Sequence, residues 1–213
     1  MLHARHAPWP LPPALLAELQ VAYATPPRPY HSLDHIQEVL GWFDQVADAG
    51  LWRDGLTVHA AILFHDAIYV AGRSDNESLS AQLAMRSLPL HRWPGSTEQL
   101  QRVAELIELT SRHGKVTLAE LGDGERSNDA ALFLDCDTAI LAASPTSFEA
   151  YDAGIAAEYQ HIPTLAFRMG RGQFLRSMLT QPRIFLSDFF HLRFDAAARR
   201  NLAAALQRYP TDQ

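Results

Sequence analysis

The sequence predicts an all-α protein. Three observations carry that reading. Apolar residues recur at three- and four-residue intervals along most of the chain. Helix-starting residues and prolines punctuate those runs where a helical chain needs punctuation. No apolar/polar alternation lasts long enough to make a half-buried strand, and no internal repeat or low-complexity stretch interrupts the pattern.

Taken in order, Pro8, Pro10, Pro12 and Pro13 make an extended entry. Pro13 suits the first position of a helix over about 13–24, where its missing N–H has no helical partner to lose. Thr25-Pro26-Pro27-Arg28-Pro29 is a stiff connector, because proline fixes φ and restricts the residue before it. Leu33, Ile36, Val39, Leu40, Phe43 and Val46 stripe a helix over about 32–49, which Gly50 can stop. A helix over about 56–69 is apolar nearly all round and is expected at the centre of the fold.

Asp75 is a plausible cap for a helix over about 76–88, ahead of Pro89. Ser96-Thr97-Glu98-Gln99 fits a capping box for a helix reaching about 111. The stretch 114–124 reads as a connector with room for one helical turn. A helix follows over about 129–143. Ser144-Pro145 then places a cap and a first-turn proline at the head of a helix to about 161. Pro163 opens another to about 179, Gln181-Pro182-Arg183 breaks it, and Asp195 can cap a last helix to about 209.

The chain has 213 residues, of which 47% are hydrophobic, enough for a single domain over 1–213 with a full core. Its formal net charge of -6 argues against a nucleic-acid partner. Cys136 is the only cysteine, so no internal disulfide forms, and a small buried filler is its plain reading. Lys115 is the only lysine, which disfavours lysine phosphate loops and Schiff-base chemistry and leaves anions to arginine. Prolines interrupt the first 13 residues where a signal peptide needs an unbroken apolar run. No stretch approaches the roughly 20 apolar residues that span a bilayer. The expectation is a cytoplasmic protein without a membrane partner, whose assembly into homo-oligomers the sequence leaves open.

One local feature points to chemistry. His65-Asp66 closes the apolar run His59-Ala60-Ala61-Ile62-Leu63-Phe64. Burying an ionised carboxylate without a partner is costly, and a divalent cation beside an imidazole removes that penalty. Upstream lies Tyr30-His31-Ser32-Leu33-Asp34-His35, and downstream Leu134-Asp135-Cys136-Asp137. His31 and His35 share a helix face if both are helical. His65 and Asp66 diverge by about 100° on a helix, so one ion takes both only near a helix end or between helices. A mixed imidazole/carboxylate set suits Mn, Fe, Co, Ni, Zn or Mg. Spacing alone leaves open which of His31 and His35, and which of Asp135 and Asp137, would serve.

In combination these segments resemble the HD-domain superfamily of metal-dependent phosphohydrolases, and most closely a subgroup of predicted hydrolases of about this length. The subgroup pattern matches here as Arg28-Pro29-Tyr30-His31 with His35, Phe64-His65-Asp66-Ala67-Ile68-Tyr69, Asp75-Asn76-Glu77-Ser78-Leu79-Ser80-Ala81, and Asp135-Cys136-Asp137. The likeness extends into Glu158-Tyr159 and Pro182-Arg183-Ile184-Phe185, so it covers most of the chain. One departure is Ala156, at a position where the subgroup often carries arginine.

The resemblance implies an HD-type helical bundle, with the metal core over 28–143 and C-terminal helices over 144–213 packed on it. It implies His35, His65, Asp66 and Asp137 as ligands of a divalent metal. It implies hydrolysis of a phosphate ester, with a nucleotide or related phosphorylated metabolite as the small-molecule partner. Asp66, Glu77 and His31 are then the candidate catalytic groups, and Arg28, Arg73 and His113 the candidate substrate contacts. A metal-containing sensing module without turnover, and a di-iron oxygenase on the same scaffold, are the competing readings. His3, His6, His59, His91, His161 and His191 are read as ordinary packing or surface histidines. Tyr30, Tyr69, Trp42, Trp52 and Trp93 are read as packing aromatics.

Overall fold

The computed structural model describes residues 2–26 and 28–209. Met1, Pro27 of the connector and 210–213, all within the expected single domain, lie outside the described residues. Ten α-helices and two short 3-10 turns account for the regular structure, and the described residues contain no strand.

Helix α1 (Pro13–Ala24) begins on Pro13 and buries Leu15, Leu19 and Tyr23 at four-residue spacing. Helix α2 (Leu33–Asp48) starts after Ser32, whose hydroxyl accepts the Asp34 N–H, and buries the expected stripe together with His35. Gly50, with φ of 67°, turns the chain away beyond it. Helix α3 (Gly55–Phe64) is capped by Asp54, whose carboxylate accepts the Thr57 N–H, and every residue from Thr57 to Phe64 is buried. It packs against α2 and against three later helices: α4 (Asn76–Leu90), α5 (Thr97–Leu109) and α7 (Glu125–Thr138).

The expected box at Ser96 forms, with Ser96 and Gln99 exchanging side-chain and backbone hydrogen bonds at the start of α5. The 114–124 connector holds one helical turn, α6 (Leu118–Leu121). Helix α8 (Pro145–Glu158) begins on its cap and proline as expected. Helices α9 (Thr164–Thr180) and α10 (Asp188–Leu206) complete the fold, packed on each other. One apolar core runs from Ala4 to Tyr209.

Several boundaries differ from the sequence reading. Helix α3 stops at Phe64 instead of 69, because the chain turns at His65 and Ala67 bonds back to the Phe64 carbonyl. Helix α4 runs on to Leu90 with Pro89 in its last turn. Helix α7 starts at Glu125, leaving Asp129 buried on its second turn, where it accepts the N–H groups of Arg53 and Asp54. Helix α10 starts at Asp188, capped by Ser187. Asp195 therefore caps nothing at the head of that helix. It sits within it, accepting the Ile184 and Phe185 N–H groups at 2.8 and 3.1 Å.

Candidate metal centre

Three segments bring four side chains to one point. His35 projects from the first turn of α2. His65 is the C-cap of α3, and Asp66 follows in the turn. Asp137 is the penultimate residue of α7. The end of α3 resolves the divergence that a continuous helix would impose, and His65 Nε2 and Asp66 Oδ2 approach to 3.2 Å. Helices α3 and α7 both aim C-terminal ends, with their partial negative charge, toward this point.

The four donor atoms lie within 4.8 Å of one another. His35 Nε2 stands 3.3 Å from His65 Nε2, 3.0 Å from Asp137 Oδ1 and 3.6 Å from Asp66 Oδ2. His65 Nε2 stands 3.2 Å from Asp137 Oδ1. Donors about 2.1 Å from one ion stand about 3.0 Å apart at a right angle and about 3.4 Å apart at a tetrahedral angle. The cluster has the separations of a coordination sphere.

Tautomer chemistry agrees. His65 Nδ1 donates to the Ile62 carbonyl at 2.9 Å, so a neutral His65 presents the lone pair of Nε2 to two carboxylate oxygens and another imidazole nitrogen. That arrangement repels itself unless a positive charge sits among the lone pairs. Burial alone would lower the His65 pKa, but Asp66 and Asp137 outweigh it and hold it well above the usual histidine range. Burial alone would raise both carboxylates, yet the surrounding histidines hold Asp66 and Asp137 well below theirs. His35 is 4% exposed and His65 1%. These residues fit a divalent ion in donor type, charge and spacing.

Supporting contacts fix the ligands. Asn76 and Ser80, one turn apart on α4, each clamp the loop behind Asp66. Asn76 bonds both the N–H and the carbonyl of Val70 at 3.0 Å, and Ser80 does the same for Ile68 at 2.9 and 3.1 Å. The Asp-Asn-Glu-x-x-Ser motif therefore works chiefly as a loop clamp. Periodicity gave no sign of this, although the four-residue spacing of two polar residues on one helix was visible.

Among the other expected site residues, some converge and some do not. His31 precedes α2 and so does not share a helix face with His35. Its Nδ1 lies 2.6 Å from Glu158 Oε2, and Tyr69 stacks on its ring at 3.9 Å. Glu158 Oε1 also accepts the N–H groups of Tyr30 and His31, each at 2.8 Å. Burial would raise Glu158, but His31 and these N–H groups hold it below its usual range. His113 Nε2 reaches the other Asp137 oxygen at 2.7 Å. Asp135, in contrast, faces away and binds Leu186 and Ser187.

Two expected substrate contacts lie off the cavity lining. Arg28 is buried and turns its guanidinium to the carbonyls of Asp66 at 2.5 Å, Ala67 at 3.1 Å and Ala22. It does not line the cavity, and its two Nη atoms are given to carbonyl oxygens. Arg73 is exposed and paired with Asp75 at 2.7 Å, also off the cavity. Trp42 and Trp52 pack on Phe190 and Phe43, and Cys136 is a buried filler.

A cavity of about 590 Å³ opens over the cluster. His31, His35, Asp66, His113 and Asp137 form one end of it, and Glu77 lines it from the first turn of α4. Helices α8 and α9 supply the opposite wall. No described helix is long and apolar enough to cross a membrane. No protein-family model, curated protein or solved structure matches this chain.

Proposed function

We propose that this chain is an HD-type metal-dependent phosphohydrolase acting on a small phosphate ester. The observation that carries the reading is the meeting of His35, His65, Asp66 and Asp137 at coordination distances on the floor of a ligand-sized cavity. The motif likeness of these same segments to HD phosphohydrolases supports the reaction class. Bound among the four side chains, a divalent ion supplies positive charge and Lewis acidity to a phosphoryl centre.

The chain's own groups do the rest. Glu158 accepts the Nδ1 proton of His31 and orients the ring, leaving Nε2 as the nitrogen available to the cavity. At Nε2, His31 gives a proton to the departing alcohol oxygen. Glu77 takes a proton from water as the oxygen–phosphorus bond forms and the ester bond breaks. His113 steadies Asp137 through its second oxygen. The apolar α8–α9 wall and the stacked Tyr69 limit water around the reacting groups.

The test is phosphate release by the purified protein, supplied in turn with Mn, Fe, Co, Ni, Zn and Mg, on a phosphomonoester panel. Asp66→Ala is expected to lower turnover by about 100-fold or more. Turnover unchanged in Asp66→Ala would reject the metal role.

A further inference from the structure

The far end of the cavity says what kind of alcohol the ester carries. Beyond the cluster, the wall is mostly apolar: Ile155 of α8, Ile162 of the connection, and Ala166, Phe167 and Phe174 of α9, with Tyr151 and Tyr159 beside them. Among the described lining residues there is no lysine, asparagine, glutamine or serine. The sole arginine there, Arg171, is engaged by Asp152, whose Oδ1 lies 2.9 Å from its Nη2. Its Nε donates to Asp152 Oδ1 at 2.9 Å and its Nη1 to the Tyr151 hydroxyl at 3.2 Å. Asp152 is held in turn by Arg208 at 3.0 Å and by the Tyr209 hydroxyl at 2.9 Å. This group ties α8 to the C-terminal helices and draws the Arg171 guanidinium onto Asp152 and Tyr151.

A nucleotide fits such a wall poorly. Its base edges need amide partners, and the wall has none; of the wall's hydroxyls, that of Tyr151 already accepts from Arg171. A di- or triphosphate needs several basic forks, and this wall supplies one, already drawn onto Asp152. A hydrocarbon chain or ring meets what is present: aliphatic and aromatic surface that gains by leaving water. On the outer side of α9, Leu165 (71% exposed) and Met169 (44%) continue the apolar surface beside the exposed lining residues Ala166 and Gly170.

We infer that the substrate is the phosphate monoester of an apolar alcohol, with its phosphate at the His/Asp cluster and its hydrocarbon body along the α8–α9 wall. The inference rests on the phosphohydrolase reading for the bond that breaks, and on the wall alone for the alcohol. It replaces the nucleotide implied by resemblance.

The experiment has a binding arm and a turnover arm. Calorimetry compares n-octylphosphonate with methylphosphonate on the Mn-loaded protein. Initial rates compare n-octyl phosphate with adenosine 5′-monophosphate. The octyl ligand is expected to bind at least about tenfold more tightly than the methyl one, and the octyl ester to show at least about tenfold higher kcat/KM than the nucleotide. Ala166→Trp, an exposed position that tolerates bulk, and Ile162→Gln are each expected to shrink the octyl-to-methyl binding ratio. Equal binding of the two phosphonates, no detectable binding of either, or better turnover of the nucleotide overturns the inference. Octyl-selective binding with no hydrolysis of any ester upholds the ligand class and overturns the phosphohydrolase reading instead.

Discussion

Asp135 holds Ser187 by two hydrogen bonds, from its N–H at 2.7 Å and from its hydroxyl at 2.6 Å, with the Leu186 N–H on the other oxygen at 2.7 Å. Two residues along α7, Asp137 faces the histidine cluster. Residues two apart on an α-helix point about 200° apart, so one carboxylate docks α10 while the other serves the site.

The two carboxylates therefore separate in their mutants. Asp135→Ala leaves three part-buried donors without their acceptor and is expected to cost about 2–4 kcal/mol of stability while metal content stays at the wild-type level. Asp137→Ala is expected to lose the metal. In chelator-treated protein it is expected to lower the melting temperature, because it removes the carboxylate that His35, His65 and His113 hold. Elemental analysis beside thermal melts of both variants checks this. Metal loss in Asp135→Ala with an unchanged melt would reverse the assignment.

The His31–Glu158 contact makes a second separation. Glu158→Gln keeps size but loses the charge that orients the ring. Glu158→Gln and His31→Gln are each expected to lower kcat about 10- to 100-fold with little change in KM or metal content. Because the two residues act as one unit, the double variant is expected to be no slower than the worse single. Additive losses in a double-mutant cycle would show that the residues act separately.

How much of this was legible in the sequence follows the range of the interaction. The stripe of α2, the Ser96 capping box and the Pro145 start depend on residues within a few positions, and their signals were read correctly. His65 and Asp66 were legible because a buried imidazole and carboxylate need a reason to be there, whereas His35 and Asp137 were singled out only by the resemblance, spacing having left His31 and Asp135 open. What failed depended on distant partners. Nothing near Asp135 reveals that Ser187 will cover it. Nothing near Asp195 reveals that Ile184 and Phe185 will claim it from inside α10. Glu158 stood out only as part of a motif, since its partner lies 127 residues away.

Arg28 shows the same limit and gives a third prediction. Arginine in a connector ahead of two histidines reads as a phosphate fork. Its donors instead tie the carbonyls of Asp66 and Ala67 to that of Ala22 at the end of α1. Arg28→Met is expected to lower stability by about 2–4 kcal/mol, because it strands these carbonyls. Metal affinity is expected to fall about 10- to 100-fold as the Asp66 turn loosens. With saturating metal, the KM for a phosphomonoester is expected to stay within about twofold of wild type. A large rise in KM with unchanged metal affinity would restore the phosphate-fork role.

His59 carries the acid sensitivity of the core. It lies inside α3 with its ring 5.5 Å from that of Phe43, and burial, only partly offset by Asp44, lowers its pKa from 6.5 to about 4. The unfolded chain binds a proton at this residue near pH 6.5, whereas the folded chain resists until about pH 4. Stability from a neutral His59 is therefore complete above pH 6.5, falls as the pH drops toward 4, and changes no further below that. The shift corresponds to about 3 kcal/mol across that window. Urea unfolding at pH 7.5 and pH 4 separates this from the metal site if both wild type and His59→Leu are measured in chelator. The difference in unfolding free energy between the two proteins is expected to move by about 3 kcal/mol in favour of His59→Leu at the lower pH. An unchanged difference would mean that the folded core accommodates the proton, and the acid response would then belong to the carboxylates of the cluster.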